Sequence, residues 1–249
     1  MGRLDDRVVI ITGAAKHIGR AYAKRLGTEG AKLAICDVVD CGETVEMVRD
    51  TGAEVLSRRI DVTDEEQTQR LAREVMERYG RIDSLVNNAA LFDGLHITKM
   101  EDVDMDEWDR TYAVNVKGTF LCCRAVVPYM KKAGGGKIVN IASGIFLSGV
   151  PGWPHYVSSK AAVMGLSRAL AKELGDYNIT VNTLSPGGTQ SGAQFQRAED
   201  APEVRPRHRP LNRPAVPEDL TGTLVYLLSS DSDFVTGQMM VINGGDALH

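Results

Sequence analysis

The sequence lacks any long apolar run. No stretch approaches the roughly 20 residues that a transmembrane helix requires. No signal peptide precedes the first apolar run at residues 7–13, RVVIITG. We therefore expect a protein without a membrane partner, located in the cytoplasm.

An excess of positive charge is missing as well. The 249 residues include 29 Lys and Arg against 33 Asp and Glu, which gives a net charge of −4. A nucleic-acid-binding surface needs a basic patch, so this balance argues against a nucleic-acid partner. The chain also contains no linker rich in Pro or Ser, no low-complexity tract and no internal repeat. Its length suits one large core, and we expect a single domain over 1–249.

Cysteine is scarce and shows no ligand pattern. The four cysteines, Cys36, Cys41, Cys122 and Cys123, have neither CxxC spacing nor a nearby histidine cluster, so no metal site is expected. Adjacent cysteines have a poor geometry for a structural disulfide. We interpret all four as small buried residues in a reducing compartment.

What the sequence does contain is a regular alternation of apolar runs with segments of helical periodicity. The runs are continuous rather than alternating, which is typical of strands covered by helices on both faces. This order predicts an α/β fold with a doubly wound parallel sheet, and its long helices include 105–130 and 154–175. Ligands of such sheets bind at the carboxyl ends of the strands. Residues with suggestive chemistry fall at those ends: Gly13, Asp37, Asp61, Asn87, Ser143 and Pro186.

The turn after the first strand reads TGAAKHIG over residues 12–19. Small residues and unpaired N–H groups at a helix start suit a pyrophosphate, although a glycine turn that merely joins strand to helix is the alternative. Asp37 ends the second strand, where a carboxylate accepts hydrogen bonds from ribose hydroxyls and repels a 2′-phosphate. This favours NAD. Lys16 is the opposing signal, because a cation in this loop suits the 2′-phosphate of NADP.

The stretch 143–160, SGIFLSGVPGWPHYVSSK, holds a second group of candidates. Tyr156 and Lys160 are four residues apart, which places them on one face of a helix. Ser143 ends the apolar run KIVNIAS, so a hydroxyl, a phenol and an ammonium can meet at one strand end. A free tyrosine, with a pKa of about 10, is a poor base at neutral pH, and a nearby ammonium favours its phenolate. We predict Tyr156 as general acid/base, Lys160 as its activator and Ser143 as the group that polarises the substrate oxygen.

Several motifs follow one another along the chain: TGAAKHIG, Asp61-Val62, Asn87-Asn88-Ala89-Ala90, Asn115, Ser143, Tyr156-x-x-x-Lys160 and Pro186-Gly187. In this order, and over essentially the whole chain, they resemble the short-chain dehydrogenase/reductase family in its compact form. The resemblance implies a Rossmann-type fold, an NAD(P) cofactor and a homotetramer. Two residues depart from the family pattern. His17 replaces a glycine of the TGxxxGxG loop, and Ala90 replaces the glycine of NNAG.

The resemblance also implies roles for individual residues. Asp61 and Val62 would hold the adenine ring, and Asn115 would bracket a water that passes protons to Lys160. Asp61 as a helix cap before Thr63 and Asn87 as a strand-end bracket are the structural alternatives. The candidate cofactor-binding residues are Gly13, Lys16, His17, Ile18, Asp37, Asp61, Val62, Asn87, Ala89, Tyr156, Lys160, Pro186, Gly187, Gly188, Thr189 and Ser191.

Three segments should form the substrate pocket: 91–106, 144–155 and 191–216. Two are mostly apolar and suit a ring or an alkyl chain. The third is a substrate lid at about 190–216, whose arginines either bind a substrate anion or form surface pairs. His155 either contacts substrate or only flanks the helix start. The candidate substrate residues are Phe92, His96, Ile145, Phe146, Trp153 and His155.

These observations predict an NAD-dependent oxidoreductase that interconverts a secondary alcohol and a ketone. An NADP-dependent 3-oxoacyl reductase is the nearest alternative. A nucleotide-binding regulatory protein without turnover is the alternative from another functional class.

Overall fold

The computed structural model describes residues 2–191 and 209–248. Its centre is a parallel sheet of seven strands in the order β3-β2-β1-β4-β5-β6-β7. The strands are β1 Val8–Thr12, β2 Lys32–Asp37, β3 Val55–Arg59, β4 Ser84–Asn87, β5 Gly136–Ile141, β6 Ile179–Pro186 and β7 Met239–Ile242. The strand order reverses between β1 and β4, and this switch point opens a crevice at the carboxyl ends. The predicted doubly wound, Rossmann-type sheet is confirmed.

Helices cover both faces of the sheet. They are α1 His17–Thr28, α2 Gly42–Arg49, α3 Glu65–Tyr79, α4 Met105–Tyr112, α5 Thr119–Ala133, the short α6 Ile145–Ser148, α7 Pro154–Leu174 and α8 Glu218–Leu228. Because side chains alternate along a strand, β1 sends Val9 and Ile11 into the core beneath α1 and α8. Val8 and Ile10 join the core beneath α3 and α5 on the other face. These two cores fix the strand ends that line the crevice.

The predicted helix 105–130 is not continuous. A π-helical turn, Ala113–Gly118, separates α4 from α5. Gly118 packs so tightly that an added Cβ would lie 2.7 Å from Cγ2 of Val62. Such turns are frequent at functional sites, and this one places Asn115 in the interior with 1% of its surface exposed. Periodicity did not reveal the turn, because a π turn inserts one residue without changing the apolar composition.

The remaining expectations about the chain concern the lid, the membrane and the cysteines. Most of the predicted lid at 190–216 lies outside the described residues. Within the described ranges, no helix combines the length and the hydropathy that crossing a membrane requires. All four cysteines are free and buried. Burial raises the pKa of the Cys41 thiol to about 11, which leaves it protonated and unreactive at neutral pH.

The turn between β1 and α1 is built from two glycines in close contact. Gly13 has a φ of +65°, and an added Cβ there would lie 2.6 Å from Cα of Ala89. Gly19 faces it from α1, where an added Cβ would lie 2.1 Å from the carbonyl oxygen of Gly13. The start of α1 therefore packs directly on the turn and points into the crevice.

We expect Gly19→Ala to lower the free energy of unfolding by about 2 kcal/mol or more, because the added methyl group meets backbone rather than a flexible side chain. Urea denaturation measures this change. Gly222→Ala in α8 is the matched control, since nothing lies within 4 Å of its added Cβ. That substitution should stabilise the helix by up to about 1 kcal/mol. Equal stability of the two variants would contradict the close packing at Gly19.

Candidate active site

The glycine turn is bonded to the turn that follows β4. Thr12 Oγ1 accepts hydrogen bonds from the N–H groups of Asn88 at 3.1 Å and Ala89 at 3.0 Å. Asn88 Nδ2 donates to the carbonyl oxygens of Thr12 at 3.1 Å and Gly13 at 2.8 Å. These bonds fix the two walls of the crevice relative to each other. Sequence reasoning missed Thr12 and Asn88, although each adjoins a residue that it selected.

The start of α1 has the features of an anion site. No side chain caps this helix N-terminus, and its first turn contains no acidic residue. Helix N–H groups in that position suit a phosphate. Asp37 Oδ2 accepts a hydrogen bond from the N–H of Ala15 at 3.0 Å, so the carboxylate at the end of β2 borders the same turn. An anion site beside a carboxylate fits the pyrophosphate and the adenosine ribose of a dinucleotide.

Asp61 follows β3 and makes local contacts. Its Oδ1 accepts hydrogen bonds from the N–H of Thr63 at 2.9 Å and from Thr63 Oγ1 at 2.8 Å. Val62 beside it is buried against Gly118. These contacts close a local turn, but the N-cap of α3 is Asp64, so Asp61 is not the helix cap that the structural alternative supposed. The adenine-binding role of Asp61 and Val62 stays a prediction.

His17 adopts the backbone conformation of the glycine that it replaces. Its φ is +55°, in the left-handed region where histidine is more frequent than most residues. Its Nε2 lies 3.4 Å from Asp93 Oδ2, and the same oxygen lies 3.1 Å from Lys16 Nζ. Asp93 follows β4, so these contacts cross the crevice. Sequence reasoning placed this segment in the pocket wall and did not select Asp93.

Ser143, Tyr156 and Lys160 meet at the carboxyl end of β5. Helix α7 begins at Pro154, a residue favoured at the first helical position, and its buried face carries Tyr156 and Lys160. Lys160 Nζ donates to the carbonyl oxygen of Ile141 at 2.9 Å and lies 5.7 Å from the centre of the Tyr156 ring. The Ser143 hydroxyl lies near enough to the Tyr156 phenol to lower the pKa of the phenol. The structure thus brings together three of the four predicted catalytic residues at one strand end; the fourth is Asn115.

Burial dominates the electrostatics of this trio. It raises the pKa of the Tyr156 phenol well above its usual value, while the Ser143 hydroxyl acts in the opposite direction and the charge of Asp93 adds to the rise. It also lowers the pKa of Lys160 to about 8. Burial therefore outweighs the lowering of the tyrosine pKa that we expected from Lys160. At neutral pH the phenol retains its proton and the lysine remains mostly charged.

Asn115 connects the π turn to two parts of the site. Its Oδ1 accepts a hydrogen bond from the N–H of Leu91 at 2.7 Å, and its Nδ2 donates to Ser159 Oγ at 3.0 Å. Ser159 lies on the buried face of α7, in the turn between Tyr156 and Lys160. Asn115 therefore joins the segment after β4 to the helix that carries the trio, and its role in a proton path stays a prediction.

Asn87 lies in a buried polar chain beneath the crevice. Its Nδ2 donates to Asn140 Oδ1 at 2.8 Å, and Asn140 Nδ2 donates to Ser167 Oγ at 2.9 Å. The chain connects β4, β5 and α7. These contacts match the strand-end bracket, and the cofactor-binding roles predicted for Asn87 and Ala89 stay predictions.

An aromatic cluster surrounds the phenol. The ring centre of Phe92 lies 4.5 Å from that of Tyr156 and 5.8 Å from that of Trp153. Ile145 packs against the same cluster. Three of the predicted substrate residues thus border Tyr156, and Phe146 lies half-buried in α6 nearby in sequence.

The two predicted substrate histidines contact α4 instead. His96 is 81% exposed, with its Nδ1 3.4 Å from Glu107 Oε2. His155 is 0% exposed, with its Nε2 3.2 Å from Glu107 Oε1. Burial lowers the pKa of His155, although Glu107 opposes this. The geometry supports the alternative in which His155 anchors the start of α7, because a fully buried ring offers no surface to a substrate.

The segment after β6 is joined to its neighbours by backbone hydrogen bonds. The N–H of Gly187 donates to the carbonyl oxygen of Ile242 at 2.9 Å, and the N–H of Gly144 donates to the carbonyl oxygen of Pro186 at 2.7 Å. Thr189 Oγ1 donates to the carbonyl oxygen of Gly187 at 3.0 Å. Pro186 to Thr189 therefore lie beside the strand end that carries Ser143. The cofactor-binding roles of these four residues and of Ser191 stay predictions.

Two of the lid arginines fall within the described residues, and both have partners. Arg209 Nη2 donates to the carbonyl oxygen of Gly188 at 2.7 Å. Arg213 binds both carboxylate oxygens of Asp219 at 2.6 Å. These contacts match the surface-pair interpretation for Arg213. Arg197, Arg205, Arg207 and His208 lie outside the described residues.

A doubly wound sheet whose switch point faces a Ser–Tyr–Lys trio defines a Rossmann-type oxidoreductase. The family model described as enoyl-(acyl carrier protein) reductase matches residues 13–246. The chain belongs to the short-chain dehydrogenase/reductase family, whose members use NAD or NADP. Across 2–191 and 209–248, no group of three or more His, Cys, Asp or Glu side chains is placed to hold a metal ion.

Individual relatives are similar over almost their full length. The 3-oxoacyl-(acyl-carrier-protein) reductase FabG of Thermotoga maritima is 36% identical over 245 residues, which cover 98% of each chain. The crystal structure of levodione reductase matches with a TM-score of 0.90 and 33% identity, covering 97% of this chain and 98% of that one. The structure of NAD+-bound xylitol dehydrogenase matches with a TM-score of 0.89 and 32% identity, covering 97% and 99%.

We expect His17→Gly to change the dissociation constant for NAD by about threefold to tenfold, because it removes the contact with Asp93 and frees the backbone of the turn. Turnover should change less, since the ion pair of His17 is with Asp93 rather than with a member of the trio. Calorimetric titration measures the constant. His96→Gly is the control, because its ring is exposed and lies outside the turn. An unchanged constant in His17→Gly would contradict the prediction.

We expect Lys160→Met to raise the free energy of unfolding at pH 7 by about 1–3 kcal/mol in the absence of cofactor. The folded pKa of about 8 is below the ordinary value of 10.5, so protonated Lys160 costs about 3 kcal/mol at pH 7. Between pH 8 and 10.5 the unfolded state binds more protons, so this cost shrinks as the pH rises. Urea unfolding at pH 7 and pH 10 tests both statements. A variant less stable than the parent at pH 7 would contradict them.

Proposed function

We propose that this chain is an NAD-dependent oxidoreductase that interconverts a secondary alcohol and its ketone. The observation that carries the proposal is the meeting of Ser143, Tyr156 and Lys160 beside a crevice that fits a dinucleotide. The oxygen of a substrate alcohol or ketone held there lies beside a proton donor and acceptor, Tyr156. Its carbon lies beside the crevice that would hold the cofactor.

In this proposal each member of the trio manages one part of the oxygen chemistry. Ser143 holds the substrate oxygen by a hydrogen bond, and Tyr156 removes or returns the proton at that oxygen. Lys160 stabilises the phenolate and binds the nicotinamide ribose, while Asn115 positions a water that passes protons to Lys160. When bound, NAD accepts or returns the hydride, and its positive ring favours the phenolate.

The preference for NAD is supported by Asp37. Its carboxylate ends β2 and is held beside the glycine turn by the N–H of Ala15 at 3.0 Å, which suits ribose hydroxyls and repels a 2′-phosphate. The similarity to an NAD+-bound xylitol dehydrogenase agrees with this preference. The apolar, aromatic surroundings of Tyr156 favour a substrate of modest size with a ring or an alkyl chain.

An NADP-dependent 3-oxoacyl reductase is the second candidate. Lys16 in the glycine turn and the 36% identity to a 3-oxoacyl reductase favour it. We further propose, from the family resemblance, that the protein is a homotetramer located in the cytoplasm. A nucleotide-binding protein without turnover is the remaining alternative.

A turnover screen decides among these functions. The purified protein is assayed with NAD and with NADP against secondary alcohols, hydroxy acids, sugars and 3-oxoacyl thioesters. Faster oxidation of a secondary alcohol with NAD supports the proposal. Exclusive reduction of 3-oxoacyl thioesters with NADPH supports the second candidate, and binding without turnover across the panel supports the regulatory one.

We expect Tyr156→Phe to reduce kcat by about 10²- to 10⁴-fold, the usual contribution of a general acid/base. NAD binding should persist, because the aromatic ring and its packing remain. Steady-state kinetics and calorimetric titration measure the two effects. Tyr177→Phe is the control, since Tyr177 is 43% exposed on the surface. Turnover near that of the parent protein would refute the role of Tyr156.

A further inference from the structure

We propose that Asp93 is a positioning residue for cofactor choice: it holds the amine of Lys16 across the crevice and so withholds it from a 2′-phosphate. This inference rests on the proposed function, because it concerns how that site selects between NAD and NADP. Asp93 Oδ2 lies 3.1 Å from Lys16 Nζ and 3.4 Å from His17 Nε2. One carboxylate oxygen thus engages both basic side chains of the glycine turn.

Lys16 is well placed to reach the adenosine ribose if it is released. It directly follows Ala15, whose N–H is bonded to Asp37 Oδ2 at 3.0 Å. A lysine side chain is a flexible stem of four carbons with a charged end, so it can meet a phosphate next to Asp37. In the structure it extends instead toward the segment after β4.

Another cation near that position is also engaged. Arg59 pairs with Asp37 in the register of β2 and β3, and its Nε donates to the carbonyl oxygen of Val38 at 2.6 Å. In the structure, the positive charge of Lys16 is held at Asp93. Release of Lys16 therefore makes this charge available to the ribose side of the crevice. The variants below separate Lys16 from Arg59.

A rigid turn presents the carboxylate of Asp93. The N–H of Leu95 donates to the carbonyl oxygen of Phe92 at 3.1 Å, and Gly94 has a φ of +92°. The turn runs from Phe92 to Leu95, and only Gly94, at its third position, has a positive φ. It is therefore a type II turn with Asp93 at its second position. Phe92 packs on Tyr156 on one side, and Leu95 is 2% exposed on the other. The pair with Lys16 therefore orders one long side chain rather than two, which lowers the entropic cost that usually cancels a surface ion pair.

The backbone at His17 supports the same assignment. A histidine with φ of +55° occupies a position where the family has glycine, and such strain persists where other contacts stabilise it. The contact of its imidazole with Asp93 is one such interaction. The turn and the carboxylate are thus built to face each other.

The test is a double-mutant cycle read out by binding rather than by activity. Dissociation constants for NADH and NADPH are measured by calorimetric titration for the parent protein, Asp93→Asn, Lys16→Met and the double variant. We expect Asp93→Asn to lower the ratio of the NADPH constant to the NADH constant by about threefold to tenfold, the scale of one partly exposed charge pair. In the Lys16→Met background the same substitution should leave the ratio unchanged.

Asp109→Asn is the matched control, because it removes the same charge from an exposed position on α4. Its ratio should equal that of the parent protein. If NADH binds normally and Asp93→Asn leaves the ratio unchanged, or lowers it equally in the Lys16→Met background, this inference is wrong while the proposed function stands. If the parent protein binds neither dinucleotide, the proposed function fails and this inference fails with it.

Discussion

The burial of one lysine amine is the constraint on which the rest of the site depends. Lys160 is 3% exposed, and desolvation lowers its pKa to about 8. Its recorded partner is the carbonyl oxygen of Ile141 at the end of β5. A carbonyl oxygen has no net charge, so this hydrogen bond does not offset the free energy of removing the charged amine from water. The packing of the two hydrophobic cores must therefore supply the remaining stabilisation. On the proposed function, this buried amine supplies the cation that the chemistry of Tyr156 needs beside the phenol.

Local structural preferences are overridden at three places that border the crevice. A lysine is buried at 160, a histidine occupies a glycine conformation at 17, and the helix carrying Asn115 widens into a π turn. Strained or unfavourable features persist where surrounding structure over-determines them, and they cluster at functional sites. Here the surrounding structure is the sheet, whose parallel strands bring their carboxyl ends to one edge. The bonds of Thr12 and Asn88 then fix that edge across the switch point.

The fold and the central trio could be predicted because each depends on short-range patterns. Apolar runs indicated the strands, and the spacing of Tyr156 and Lys160 determined a shared helix face. The contacts of Asp93, Glu107 and Asn88 could not be predicted in the same way. They join loops that are distant in sequence, and a carboxylate or amide in a loop has no periodicity that identifies its partner. His155 shows the same limit, since adjacency to Tyr156 in sequence left two directions open and packing against α4 selected one.

The segment after β4 contacts both halves of the site, the glycine turn and the Ser–Tyr–Lys trio. Because these contacts join distant parts of the chain, the sequence revealed little about this segment and the structure revealed much. Phe92 packs on the phenol, Asn115 bonds the backbone of Leu91, and Asp93 reaches the glycine turn. The charge of Asp93 also raises the pKa of Tyr156. On the proposed function, a substitution in this segment would act on cofactor binding and on proton transfer together. The proposal thus assigns the chemistry to residues fixed by the sheet and the cofactor preference to a turn that contacts both the glycine turn and Tyr156, so it implies that the two properties are coupled.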